Sequence, residues 1–103
     1  MCGIIGFSGK LQAKPIVLKG LHSLEYRGYD SAGIALASES GFEVIKCSGR
    51  VNVLEDMCKD IKLDSLCGIG HTRWATHGAP TAVNAHPHSS EKCIVVHNGS
   101  PQV

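Results

Sequence analysis

Helical and strand periodicities follow one another irregularly along this 103-residue chain, without strict β-α-β alternation, and predict an α+β layered fold. Three observations carry that expectation. Apolar residues recur at helical spacing near positions 14–24 and 51–61. Short apolar runs bounded by glycine and polar residues punctuate the rest. One long polar stretch contains two of the prolines.

Taken in order, Ile4-Ile5-Gly6-Phe7 reads as a short buried strand ended by Ser8-Gly9. Residues 14–24 read as a helix in which Pro15 suits the first turn and Val17, Leu18, Leu21 and Leu24 form one stripe. Gly28 lies just beyond, where a left-handed stop is cheap for glycine. Ser31–Ala37 and Phe42–Cys47 read as strands joined through Glu39-Ser40-Gly41, a hairpin. A second helix is expected over Val51–Ile61, with Val53, Leu54, Met57, Cys58 and Ile61 on its apolar face. Cys67–Thr72 and Ile94–His97 read as further strands, and Trp74–Glu91 as a polar loop holding Pro80 and Pro87. No internal repeat or linker is visible.

Composition narrows the function classes. Hydrophobic residues make up 43% and charged residues 18%, which is globular rather than disordered. Ten Lys+Arg against nine Asp+Glu leave a formal charge of +1, with no electrostatic footprint for nucleic acid or anionic membrane. No apolar run approaches the ~20 residues of a membrane span. The N-terminus lacks the basic segment of a secretion signal. Five cysteines are an odd number at spacings that suit neither zinc nor a redox pair, so reduced thiols in a cytoplasmic protein are expected. Most of them should pack as small hydrophobes.

Three clusters could carry chemistry. If Met1 is removed, Cys2 bears a thiol and a free α-amine together, a nucleophile with its own base. If Met1 stays, Cys2 is a small buried side chain. His71-Thr72-Arg73-Trp74-Ala75-Thr76-His77-Gly78 leaves a strand and opens a loop, where Arg73 offers a fork for a carboxylate and Trp74 a rigid wall. A solvated polar turn anchored by Trp74 is the plainer reading. Asn98-Gly99 at a strand end can aim a side-chain amide and a backbone N–H at one oxygen, as an oxyanion hole does, or can form a hairpin turn. His77, His86, His88 and His97 raise metal binding as a rival function, a small non-catalytic or regulatory module built on the His-rich loop. Acidic ligands are sparse there, and scaffolding histidines are the preferred reading.

Together the motifs point further. Met1-Cys-Gly-Ile-Ile-Gly6, Leu24-Glu-Tyr-Arg-Gly-Tyr-Asp-Ser-Ala-Gly33, His71 to Gly78, Asn84-Ala-His-Pro-His88 and His97-Asn-Gly99 occur in order. This set resembles the N-terminal class II glutaminase domain of the glutamine–fructose-6-phosphate aminotransferase (isomerizing), or glucosamine-6-phosphate synthase, family. Amidophosphoribosyltransferases typically differ at the Tyr26–Asp30 segment, and asparagine synthetases differ at Trp74. The resemblance implies an N-terminal-nucleophile hydrolase fold, an αββα sandwich of two sheets between helical layers, of which positions 1–99 hold the N-terminal part. It implies glutamine hydrolysis through a thioester on Cys2, with ammonia passed to a sugar-phosphate isomerase domain outside this chain, in a homo-oligomeric parent. It assigns Asn98 and Gly99 to the oxyanion hole and Arg73 to the glutamine carboxylate. Trp74, Thr76 and His77 then shape the pocket, and Arg27 and Gly28 lie in a loop over the nucleophile. Neither cofactor nor metal is expected. After Gly99 the family continues differently, and the acidic residue that holds the substrate ammonium lies beyond that point. Positions 100–103 are therefore expected to be a divergent tail, and the chain a poorly active fragment.

Overall fold

The computed structural model describes residues 2–27, 30–39, 41–73, 85–90 and 93–96. Four strands form one antiparallel sheet: β1 (Gly3–Ser8), β2 (Ser31–Ser38), β3 (Gly41–Ser48) and β4 (Cys67–Arg73), in the order β1-β4-β2-β3. Helices α1 (Ala13–Leu24) and α2 (Val51–Cys58) pack on one face, and a single turn of 3₁₀ helix over Glu25–Arg27 follows α1. A short antiparallel pair, β5 (His88–Ser89) and β6 (Ile94–Val95), completes the described structure.

The strands pair through alternation. Facing the helices are Ile5 and Phe7 of β1, Ala32, Ile34 and Leu36 of β2, and Ile45 and Cys47 of β3. They meet Ala13, Val17, Leu18 and Leu21 of α1 and Val51, Leu54 and Cys58 of α2. At the centre of β4, Gly70 lets α1 ride close, since a Cβ there would stand 2.7 Å from Val17 Cγ1 and 3.0 Å from Leu21 Cδ1. Before α1, Gly9 N–H donates to Leu66 O and Ala13 N–H to Ser65 O, while Gln12 Oε1 accepts from Ser65 N–H. The start of α1 is thereby tied to the approach to β4.

Three expectations change. Helix α2 ends at Cys58 rather than Ile61, where Lys14 Nζ donates to Cys58 O at 2.9 Å and Ile61 O at 2.7 Å. The buried face of α2 is Val51, Leu54 and Cys58, and Val53 and Met57 are exposed, because the core lies along the 51/54/58 stripe. The stretch read as loop contains β5, which supplies β6 with a neighbour. Most of the cysteines do pack as small hydrophobes: Cys2, Cys47 and Cys58 are buried, and Cys67 and Cys93 are exposed. The glycine stop proposed at Gly28 lies outside the described residues.

Candidate functional site on the second face of the sheet

The sheet face opposite the helices carries most of the described polar candidates. Register places Ile4 of β1 beside His71 of β4, His71 beside Gly33 of β2, and Gly33 beside Lys46 of β3. Ser31 stands beside Arg73 in the same way. Gly3 pairs with Thr72, so Cys2 directly precedes β1 at the end of the sheet where β4 closes on Arg73. Antiparallel neighbours stand about 4.5–5.5 Å apart at Cα. The proposed nucleophile and the proposed carboxylate fork thus come from opposite ends of the chain's first 73 residues to one end of the β1–β4 pair. Cys2 is 5% exposed and Arg73 half-buried.

The strand end at Arg73 is held by backbone bonds. Asp30 N–H donates to Arg73 O at 3.1 Å, and Gly49 N–H donates to Asp30 O at 2.8 Å. Ser31 Oγ donates to Asp30 Oδ1 at 3.2 Å. Asp30 thereby fastens the ends of β2, β3 and β4 together. Sequence reasoning had placed it in a motif without assigning it this role.

A column of imidazoles lies against the same face. His71 is fully buried and its ring stacks on His86, with centroids 4.1 Å apart and 24° between planes. His86 in turn lies 4.4 Å from His88, tilted by 53°. The backbone beneath is tight, because a Cβ on Gly33 would stand 1.9 Å from His86 O and 2.8 Å from Pro87 Cδ. The His86–Pro87 peptide is cis, and Ala85 and Pro87 are fully buried. Burial, then Lys46, then Arg73 hold the His88 pKa below its ordinary 6.5. Burial likewise lowers Lys46. Farther along this face Ile94 joins Ala35, Ala37, Phe42, Cys67 and Ile69 around a cavity of about 180 Å³.

Of the residues the motifs singled out, Cys2 and Arg73 lie at the same end of the β1–β4 pair. Arg27 ends the 3₁₀ turn after α1. Gly28, Trp74, Thr76, His77, Asn98 and Gly99 lie outside the described residues. Of the histidines weighed as metal ligands, His86 and His88 belong to the imidazole column, and His77 and His97 lie outside the described residues. Among the described residues no group of three or more His, Cys, Asp or Glu side chains gathers as a metal site, and no helix is long and apolar enough to cross a membrane. The ring stack is what sequence reasoning missed. The signals were Gly33 in a strand and His-Pro-His, but only tertiary contact joins them.

No family model matches the chain. It is 56% identical over 101 residues to the glutamine–fructose-6-phosphate aminotransferase [isomerizing] of Bacillus subtilis strain 168, an alignment covering 96% of this chain and 17% of that protein. The enzyme of the same name from Halalkalibacterium halodurans is 57% identical over 101 residues, with the same coverage. The chain thus spans about a sixth of the length of the curated relatives it matches. Among solved structures, the glutamine phosphoribosylpyrophosphate amidotransferase from B. subtilis complexed with ADP and GMP superposes with a TM-score of 0.72 at 27% identity. That superposition covers 91% of this chain and 20% of the other. The allosteric regulatory enzyme of purine biosynthesis matches with a TM-score of 0.74 at 28% identity, covering 89% and 20%.

Proposed function

The chain belongs to the glutamine–fructose-6-phosphate aminotransferase family, whose members it matches over their N-terminal part, and from that premise we propose that it hydrolyses the side-chain amide of glutamine. Its α+β fold is of the N-terminal-nucleophile amidotransferase type. The observation that carries the proposal is the register of β1 on β4, which pairs Gly3 with Thr72 and so brings Cys2 and Arg73 to one end of the sheet.

In the proposed mechanism Met1 is removed and the Cys2 α-amine takes the thiol proton, directly or through water. The thiolate adds to the amide carbon of glutamine. Asn98 and Gly99 donate to the oxygen that becomes negative, and this is the stabilisation that lowers the barrier. Collapse breaks the C–N bond, and the amine returns its proton to the departing ammonia, leaving a γ-glutamyl thioester on Cys2. Water then adds to the thioester, and glutamate leaves as the thiol is restored. Arg73 holds the glutamine α-carboxylate bidentately, and a planar fork orients as well as attracts. Trp74, Thr76 and His77 shape the pocket, and Arg27 and Gly28 lie over the nucleophile. In the longer proteins of this family, the ammonia is proposed to reach a sugar-phosphate isomerase domain and enter glucosamine 6-phosphate made from fructose 6-phosphate.

The test is chemical selectivity. Cys67 and Cys93 are exposed, whereas Cys2 is buried, so simple accessibility favours the wrong thiols. Treatment with a diazo-ketone analogue of glutamine should nonetheless label Cys2, in protein whose intact mass lacks Met1. Peptide maps showing label spread over Cys47, Cys58, Cys67 and Cys93 with no preference for Cys2 would overturn the assignment.

A further inference from the structure

We propose that Thr72 is a positioning residue whose hydroxyl holds the α-amine that Cys2 gains when Met1 is removed. The inference rests on the glutaminase reading and deepens it, naming a group that acts on the base rather than on glutamine.

Thr72 is fully buried, and among the described residues its Oγ1 finds no hydrogen-bond partner. Buried polar atoms are nearly always paired, and an orphan costs stability that an apolar side chain of the same shape would not. A Cβ on Gly70, two residues earlier on β4, would meet Val17 and Leu21 of α1, so Thr72 points to that same side of the sheet. Its partners across the strands are Gly3 and Ala32, and neither carries a polar side chain. A Cβ on Gly3 would stand 2.9 Å from Thr72 Oγ1 and 2.9 Å from Leu24 Cβ. The hydroxyl therefore fills the space beside Gly3, with the apolar Leu24 as its other neighbour. Cys2 is the residue before Gly3 and is 5% exposed. While Met1 is attached, the Cys2 nitrogen is an amide with one N–H. Removal of Met1 turns it into an amine that rotates and brings further N–H donors into a place largely shut off from water, where an unpaired amine is costly. The Thr72 oxygen accepts one of those N–H groups and fixes the rotation. The amine lone pair is left for the thiol proton, and Thr72 itself neither gains nor loses a proton. The effect falls on bond formation at Cys2 rather than on glutamine recognition.

Two readouts test it, and the first needs no glutamine. Valine has the shape of threonine without the hydroxyl. In chain that keeps Met1, made with the methionine aminopeptidase blocked during expression, Thr72→Val should leave the thermal midpoint unchanged or raise it. In Met1-free chain the same change should lower the midpoint by about 4 °C. An equal shift in both forms would overturn the contact. The second readout is labelling of Cys2 in Met1-free chain by the diazo-ketone analogue. Thr72→Val should cut the limiting rate about tenfold, with the half-saturating concentration within about twofold of the parent. Thr72→Ser, which keeps the hydroxyl, should recover the rate to within about threefold. An unchanged limiting rate in Thr72→Val would overturn the positioning role, as would a loss confined to the half-saturating concentration or no rescue by Thr72→Ser. If the parent's Cys2 ignores the analogue while Thr72→Val still costs stability in the Met1-free chain alone, the glutaminase reading falls, the positioning role falls with it, and the hydroxyl–amine contact stands.

Discussion

Arg73 and Cys2 illustrate how residue type and place divide the work. A lysine at 73 would keep the charge but lose the fork, so Arg73→Lys should weaken recognition of glutamine more than it slows the labelling of Cys2. Asn98→Ala should do the reverse, lowering turnover by on the order of 10²–10³ with a modest change in apparent affinity. Saturation curves for the two variants check this, and interchanged phenotypes would mean the roles are reversed. His88 supplies a pH dependence. Its folded pKa lies below the ordinary 6.5, through burial, Lys46 and Arg73. The unfolded chain therefore takes up a proton near pH 6.5 that the folded chain refuses until lower pH. Stability is full above that value and falls as pH drops through the window beneath it. Thermal midpoints of His88→Gln should show a shallower fall below pH 6.5 than those of the parent. Equal slopes would refute the linkage.

At the scale of elements, helix α2 is closed from a distance at both ends. Its N-cap, Arg50, makes no side-chain cap, and Glu25 from the turn after α1 instead accepts from Val51 N–H at 3.3 Å and Arg50 Nε at 3.1 Å. At the other end Lys14 takes the carbonyls of Cys58 and Ile61. Open carbonyls at a helix end need a partner, and a cation there also meets the negative end of the helix dipole. Lys14→Met removes both bonds while keeping the apolar stem, and should cost about 1–3 kcal/mol, read as a lower urea midpoint at unchanged slope. An unaltered midpoint would show that water serves those carbonyls equally well. These caps also explain why the helix stops short of the predicted Ile61. The apolar pattern continues past Cys58, but nothing local to residues 51–61 reveals that Lys14 waits there.

Across the whole molecule, one sheet separates two jobs. The helix face is apolar and makes the core, and the other face collects Arg73, Lys46 and the imidazoles. The contact between Gly33 and His86 joins the sheet to the segment that covers it. Gly33→Ala would set a methyl 1.9 Å from a backbone oxygen, and the 85–88 segment must shift to admit it. A loss of about 1–3 kcal/mol is expected, with weaker protection of the Ile69–Arg73 amides. A variant as stable and as protected as the parent would show that the segment settles elsewhere at no cost.

The chain's local chemistry determined strands β1 to β4, both helices and the hairpin. Alternation and helical spacing are properties of neighbours in sequence, legible at β1, α1, β2 and β3 without a partner in view. The motifs around Cys2 and Arg73 were legible for the same reason, because each is a contiguous string. Tertiary structure alone decided which stripe of α2 is buried, that residues 88–89 pair with 94–95, and that Cys2 and Arg73 share one end of the β1–β4 pair. It also decided that His86 stacks on His71 above Gly33. Each of these joins positions through sheet register or close packing, and register is set by which faces become buried together, a quantity no single segment contains.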